Sequence, residues 1–479
     1  MSILSHLTPA GVFTHFEALC AIPHGSGNTR ALSDHIAAFA AARGLAYTQD
    51  ALGNVIIFAP AAPGYESAEP VILQGHMDMV CEKDPAGALD MAKDGLALAV
   101  EGDHVFARGT TLGGDDGIAV AMMLALLEDT TLPRPALECV FTVDEEVGMP
   151  GAREIDLSAL RSRRMINIDS EAEGIFTVSC AGGSRVKCLL PTSRSDCGWE
   201  IRSLTVSGLA GGHSGMEIHQ GRGNAIALLG RVLDAAAQST ELRLVKLTGG
   251  GKENAIPSAA TAVVAVKHPA AFAAAVAETE KLLRAEYRRS DSGLTVTVAP
   301  DTTARVPMDE PSTLRILRFL LAAPTGVQEM SREIEGLVET SLNLGVLTTD
   351  TKTVTAVFSL RSSVESRKTM LERRLTALTE GMGGQTVPGE RYPAWAYRAE
   401  SPLRDLMTEV FTEQYGYAPK VEAIHAGLEC GLFAGKLAGL DCVSIGPDLT
   451  EIHTPREKMS ISSVRRVWNM LLEVLRRMH

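Results

Sequence analysis

Four short apolar runs in this chain each break off in a side chain of metal-ligand type. Residues 71–73 lead into Gln74-Gly-His-Met-Asp78, residues 139–143 into Asp144-Glu-Glu146, residues 165–168 into Asp169, and residues 442–445 into the loop that carries His453. Runs of this length are too short for ordinary helices and read as buried strands. Ligands at the carboxyl ends of successive strands line up along one edge of an open α/β sheet, the edge where such sheets build their sites. A further carboxylate, Asp115, opens an apolar helical stretch between the first two runs. The pattern predicts an α/β fold with a mainly parallel sheet.

At 479 residues the chain exceeds what one hydrophobic core usually supports, so two domains are expected. With 45% hydrophobic and 22% charged residues, and no low-complexity tract or solenoid repeat, nothing marks it as disordered or repetitive. The formal net charge of −13 argues against nucleic acid or an anionic membrane as partner, since both reward clustered Lys and Arg. Residues 1–12 lack the basic start and apolar stretch of a signal peptide, and no run nears a membrane span, so a cytoplasmic protein is expected. The 8 cysteines show no C-x-x-C spacing and several sit inside apolar runs, which suits reduced, mostly buried thiols.

Helical periodicity covers residues 8–20 and 29–43, and the strand-like residues 55–58 and 71–73 are expected to be neighbours. Residues 117–129 read as a buried helix with Asp115 and Asp116 in N-cap position. From about Gly183 strand-like stretches (202–207, 260–267, 353–360) alternate with helical ones (270–287, 313–321, 364–381), as in an α+β domain with a half-exposed antiparallel sheet. Residues 382–389 read as a linker, after which Ser401-Pro402 starts a helix. The expected organisation is an α/β domain of residues 1–183 and 387–479, interrupted by an inserted α+β domain of residues 184–386.

On an extended segment His76 and Asp78 point the same way. A lone His after a strand is often structural, but a carboxylate beside it can fix the tautomer of a ligand imidazole. Within Gly113-Gly-Asp-Asp-Gly117, Asp115 is either a helix cap or a carboxylate whose two oxygens bridge two ions. Glu145 and Glu146 set two like charges after a hydrophobic strand, which is costly unless cations neutralise them. Two zinc-type ions, each taking one His, one terminal carboxylate, a shared Asp and a shared water, need two His and three carboxylates. His76, His453, Glu146, Asp169 and Asp115 supply that set, and Glu145 is left over to take a proton from metal-activated water. Gly221-Arg-Gly-Asn224 and Gly249-Gly-Gly251 lack the spacing of nucleotide-phosphate loops.

Gln74-Gly-His-Met-Asp78, Gly113-Gly-Asp-Asp-Gly117, Asp144-Glu-Glu-Val-Gly148, Asn167-Ile-Asp169 and Ile452-His-Thr-Pro455 together resemble the five motifs of the co-catalytic zinc aminoacylase/carboxypeptidase metallopeptidases. Within that family the chain is most similar to the cytosolic aminoacyl-histidine dipeptidase branch (peptidase D, carnosinase type). The resemblance implies that His76, Asp115 and Asp169 hold one metal and Asp115, Glu146 and His453 the other. It implies that Asp78 supports His76, that Glu145 is general base and acid, and that a cis peptide follows Asp115. Asp rather than Glu at 169 goes with aminopeptidase and dipeptidase members.

The inserted domain resembles the family's lid. His213, in Gly211-Gly-His-Ser-Gly215, would polarise the scissile carbonyl. Asn254 and Arg361 would grip the substrate carboxylate, and Glu429 would meet a free amino group. Plainer alternatives are a solvated loop imidazole for His213, a surface ion pair for Arg361 and a helix cap for Glu429. The implied activity is hydrolysis of dipeptides, Xaa-His (carnosine-like) above all, with two zinc ions per chain and cobalt or manganese as substitutes. Rival readings are a broader di- or tripeptidase, an N-acyl amino acid deacylase and, outside enzymes, a metal-bound scaffold. Residues 313–381 repeat the strand and helix succession of the lid's first half. A duplicated lid would complete the site within one chain, whereas an unduplicated one would borrow its His across the expected homodimer.

Overall fold

The four apolar runs fold as strands of one eight-stranded sheet. In the computed structural model, which describes residues 2–85, 87–302 and 305–479, the strands are β1 (Ala46–Gln49), β2 (Val55–Ala59), β3 (Val71–His76), β4 (Leu137–Thr142), β5 (Arg164–Asn167) and β6 (Ile175–Cys180), joined by Lys420–Ile424 and Asp441–Ser444. Their order is β1-β2-β4-β3-β5, then Asp441–Ser444, β6 and Lys420–Ile424. The centre, from β4 to Asp441–Ser444, is parallel, with His76 opposite Thr142 and Asn167 opposite Ser444. β1, β2 and β4 pair antiparallel, as do Asp441–Ser444 and β6.

β3 and β4 are buried at every position, as parallel strands covered on both faces must be, which is why they read as unbroken apolar runs. β4 lies between β2 and β3, so the expected adjacency of residues 55–58 and 71–73 does not hold. The chain passes from β3 to β4 through α3 (Gly114–Glu128), preceded in sequence by α1 (Ala10–Cys20) and α2 (Arg30–Ala42); so long a crossover frees β4 to insert there. α3 is buried without a break from Asp116 to Leu127, and a helix apolar all round belongs inside a fold. These elements form one unit, residues up to 179 with 397–423 and 428–479.

The second unit, residues 180–396 with 424–427, is built on a nine-stranded sheet. In chain order its elements are β7 (Gly182–Pro191), β8 (Glu200–Ser207), α4 (Ala225–Ala237), β9 (Leu242–Gly249), β10 (Ala260–Val266), α5 (Pro269–Glu286), β11 (Thr295–Pro300), α6 (Glu310–Ala322), β12 (Val338–Thr349), β13 (Thr353–Ser362), α7 (Glu365–Gly381) and β14 (Gln385–Tyr392). The strand order is β11-β8-β10-β9-β12-β13-β7-β14, with Gly326–Met330 added beside β12. It resolves into two split βαβ motifs. One is β8-α4-β9-β10-α5-β11 and the other β7-α6-β12-β13-α7-β14, and they meet where Gly249 faces Leu347.

The expected repetition by residues 313–381 therefore needs correcting in one respect. The second motif takes its first strand, β7, from before the first motif, so the copies are nested and not serial. Residues 382–389, expected as a linker, begin β14, which pairs with β7 from Gln385 to Tyr392. β14 is the last strand of the sheet, where Pro388 is tolerated because an edge strand leaves one side of its backbone unpaired. By its internal contacts the second unit spans residues 180–396 with 424–427. Phe272, Leu283, Phe319, Phe358 and Leu375 are fully buried in its core.

No helix among the described residues is long and apolar enough to cross a membrane. The cysteines at 20, 139, 180, 188, 430 and 442 are buried.

Candidate metal centre

Because β3, β4, β5 and Asp441–Ser444 are parallel, the side chains that follow them gather at one edge of the sheet. His76 ends β3, Asp144 to Glu146 follow β4, and Asp169 follows β5. His76 Nε2 lies 3.2 Å from Asp115 Oδ1 and 3.4 Å from Asp169 Oδ1. His453 Nε2 lies 3.2 Å from Asp115 Oδ2 and 2.7 Å from Glu146 Oε1. Asp115 therefore turns one oxygen to each imidazole. Asp115 and Asp116, joined by a cis peptide bond, break the helical dihedrals near the start of α3, and the Asp115 oxygens face the imidazoles and not the helix N–H groups.

The donor atoms fit a divalent cation. Ligands held at about 2.0–2.1 Å around a tetrahedral zinc stand about 3.3 Å apart, close to three of the four separations above. Two alternative groupings join His76 with Glu145 and Glu146, and His76 and Asp169 with Asp116. Asp116 Oδ2, however, accepts the backbone N–H of His76 at 3.1 Å. That approach requires Gly75, where a Cβ would come within 2.6 Å of the same oxygen. Asp116 is thus occupied in holding the end of β3.

The surrounding shell is carboxylate-rich and specific. Asp78 accepts from Glu145 N at 2.9 Å, Glu146 N at 3.3 Å and Ser26 Oγ at 2.8 Å. Its carboxylate stands 3.5 Å from His76 Nδ1, which is nearer, at 3.0 Å, to the Asp78 carbonyl oxygen. The expected support of His76 by Asp78 is thus chiefly a main-chain contact, and the buried carboxylate satisfies itself on the turn that carries Glu145 and Glu146. Glu457, unremarked in the sequence, accepts from the backbone of Leu112 (2.8 Å), Gly113 (3.2 Å) and Gly114 (2.8 Å). It ties the loop of His453 to the loop that enters Asp115. Asp144, Met149, Glu451 and His453 all adopt left-handed φ between 54° and 58°. Such conformations in non-glycine residues cost roughly 1–3 kcal/mol each and cluster where function dictates geometry.

Electrostatics mark the same cluster. Burial, then the carboxylates of Asp169, Glu429 and Glu146, push Glu145 up to about 9 despite His76. Burial raises Asp169 to about 6 and Glu171, which faces Asp115 and Asp169, to about 7. Hydrogen bonds donated to the Asp115 and Glu146 carboxylates raise His453 to about 10. Against burial, Asp115 and Asp169 hold His76 well above the usual imidazole value. Crowded acids and protonated imidazoles of this kind are what a pair of cations would relieve.

Glu429 opens the helix Glu429–Lys436 but does not cap it. Its Oε2 accepts from Gln74 Nε2 and Thr142 Oγ1, both at 2.6 Å, while Oε1 is buried without a hydrogen-bond partner. Burial raises it to about 7.

In the second unit, His213 Nδ1 accepts the N–H groups of Met216 (3.0 Å) and Gly215 (3.3 Å). The neutral ring therefore carries its proton on Nε2, and burial together with Arg361 lowers its pKa. Arg361 is 9% exposed and its Nε has no partner, so it is no surface ion pair. It lines a cavity of about 250 Å³ together with Asn254, Ser184 and Tyr392. His425 is buried and bonded to Ser341 Oγ at 2.7 Å.

Residues 72–477 match the family model described as Peptidase family M20/M25/M40. The cytosol non-specific dipeptidase of Escherichia coli (strain K12) is 38% identical over 483 residues, covering 99% of both chains. The crystal structure of an aminoacylhistidine dipeptidase from Vibrio alginolyticus superposes with a TM-score of 0.94 at 37% identity, covering 99% of this chain and 98% of that one. An aminopeptidase from Bacillus cereus shares the fold at a TM-score of 0.57 and 14% identity, covering 98% and 99%.

Proposed function

The chain belongs to peptidase family M20/M25/M40, and on that premise we propose that it hydrolyses dipeptides at a dinuclear metal centre, Xaa-His dipeptides being preferred substrates. The observation that carries this is the posture of Asp115, with one oxygen 3.2 Å from each of two imidazoles. His76, Asp115 and Asp169 would hold one ion and Asp115, Glu146 and His453 the other, zinc first, with cobalt or manganese as substitutes. When bound, such ions lower the pKa of a shared water toward about 7 and polarise a carbonyl oxygen.

The rest of the chemistry falls to the chain. Glu145, whose carboxyl has no hydrogen-bond partner among the described residues, takes the water's proton and returns it to the leaving amine. His213 offers an Nε2–H to the carbonyl oxygen as charge develops there. Arg361 and Asn254 take the C-terminal carboxylate, a role supported by the nearly buried guanidinium beside a cavity. Glu429 Oε1, buried and unpartnered, suits the substrate's free amino group. The name of the Escherichia coli relative supports a cytosolic location.

The test is hydrolysis of carnosine, a second Xaa-His dipeptide, a tripeptide and an N-acetyl amino acid, with and without chelator. Dipeptides, Xaa-His foremost, should be cleaved and chelation should abolish cleavage. Hydrolysis that survives complete metal removal sinks the dinuclear mechanism, and preference for the N-acetyl amino acid sinks the dipeptide assignment.

A further inference from the structure

β14, β7 and β13 run side by side, and their register sets Tyr392 opposite Gly183 and Gly183 opposite Arg361. Gly183 has no side chain to separate its neighbours. A Cβ there would stand 2.3 Å from the Tyr392 ring, so the ring lies across the middle strand. The phenol oxygen reaches Arg361 and accepts its Nη1–H at 3.0 Å.

The charges around this row are unevenly settled. Glu253 and Glu390 line the same cavity, but both face Arg185, the second at 4.0 Å. Arg361 has no ion-pair partner among the described residues, and its Nε is unbonded. Ser184, 8% exposed, also lines the cavity with an unpartnered Oγ. A nearly buried guanidinium without a counter-charge is costly, and an anion entering the cavity supplies one through a charge-assisted fork.

A phenol that accepts with a lone pair keeps its own O–H to donate. Burial raises the Tyr392 pKa, so the proton stays in place. We propose that Tyr392 is a further substrate-binding residue, donating its hydroxyl proton to the same C-terminal carboxylate that Arg361 grips. This rests on the carboxylate-binding role given to Arg361 above. Gly183 is the structural condition for it, since any side chain there displaces the ring. A dipeptide with a free carboxyl then meets the tyrosine hydroxyl and the guanidinium together, whereas its C-terminal amide offers no negative charge to either.

The experiment compares wild-type holoenzyme and Tyr392→Phe on one dipeptide and on the same dipeptide as its C-terminal amide. Wild type should favour the free acid. Tyr392→Phe should lose about 10- to 100-fold in kcat/KM on the acid, the range of one hydrogen bond to a charged group, mainly through KM. The amide, whose carbonyl oxygen accepts only a neutral hydrogen bond, should lose less, about 2- to 10-fold, so the acid-to-amide ratio falls. Equal losses on both substrates make Tyr392 merely structural and overturn the proposal, as does a variant that keeps the wild-type ratio. A wild type that treats acid and amide alike overturns the carboxylate anchor itself, and this role with it.

Discussion

Glu457 offers the sharpest test of how the metal centre is held. Its carboxylate, 3% exposed, is the shared acceptor of three successive backbone N–H groups at 2.8, 3.2 and 2.8 Å, immediately before Asp115. In Glu457→Ala those donors lose their acceptor in a buried place. A hydrogen bond to a charged group contributes about 1.5–3 kcal/mol, and an orphaned buried N–H costs about 1–3 kcal/mol. The three share two oxygens and water can enter the vacated volume, so the sum is not additive; about 2–4 kcal/mol of local stability should go. Since Asp115 faces both imidazoles, its displacement should weaken both metal sites. Loss of a partner that orients ligands typically costs 10–100-fold in metal affinity. Calorimetric titration of the metal-free protein with zinc reads this directly. Glu451→Ala is the control, because Glu451 is an exposed acid on the same loop, paired with Arg456 at 3.0 Å. If Glu457→Ala binds two zinc equivalents with wild-type affinity, the clamp has no part in forming the site.

Glu145→Gln should bind metal near normally, because its carboxyl is assigned no ligand role, and should lose turnover altogether; a near-wild-type rate removes Glu145 as the base. A separate expectation concerns pH. Burial, then Arg361 and His213, depress His425 from 6.5 to about 3, so between those values the folded state binds fewer protons than the unfolded chain. Its contribution to stability is complete above about pH 6.5 and is lost as pH falls toward 3, at about 1.4 kcal/mol per unit. Wild type should lose about 2 kcal/mol more than His425→Gln between pH 7 and pH 5, read from denaturant midpoints; equal slopes would refute the assignment.

The site's composition was legible in the chain because its cues are local. A strand buried on both faces must be apolar throughout, so its end shows as the first polar residue, and His76, Asp144 to Glu146 and Asp169 stood out for that reason. Counting imidazoles and carboxylates then points to Asp115 as the carboxylate shared by two ions and leaves Glu145 over. Strand order was not legible: nothing within residues 71–142 says that β4 passes between β2 and β3, since the long crossover through α3 permits several positions. Nor did the linear order of the second unit show that one motif is nested in the other, because the second motif's first strand lies far from its remaining elements.

What the sequence by itself determined is the set of reactive groups and the strand ends that present them, because burial and backbone periodicity act between near neighbours. Only the tertiary structure decided what each group does there. It turned the two oxygens of Asp115 toward two histidines, gave the Asp78 carboxylate to the N–H groups of Glu145 and Glu146, put Glu457 under the turn before Asp115, and laid Tyr392 across Gly183 onto Arg361. These contacts join segments up to hundreds of residues apart. They follow from the need of buried charges and backbone groups for partners, a need that can be met only once the chain has closed on itself.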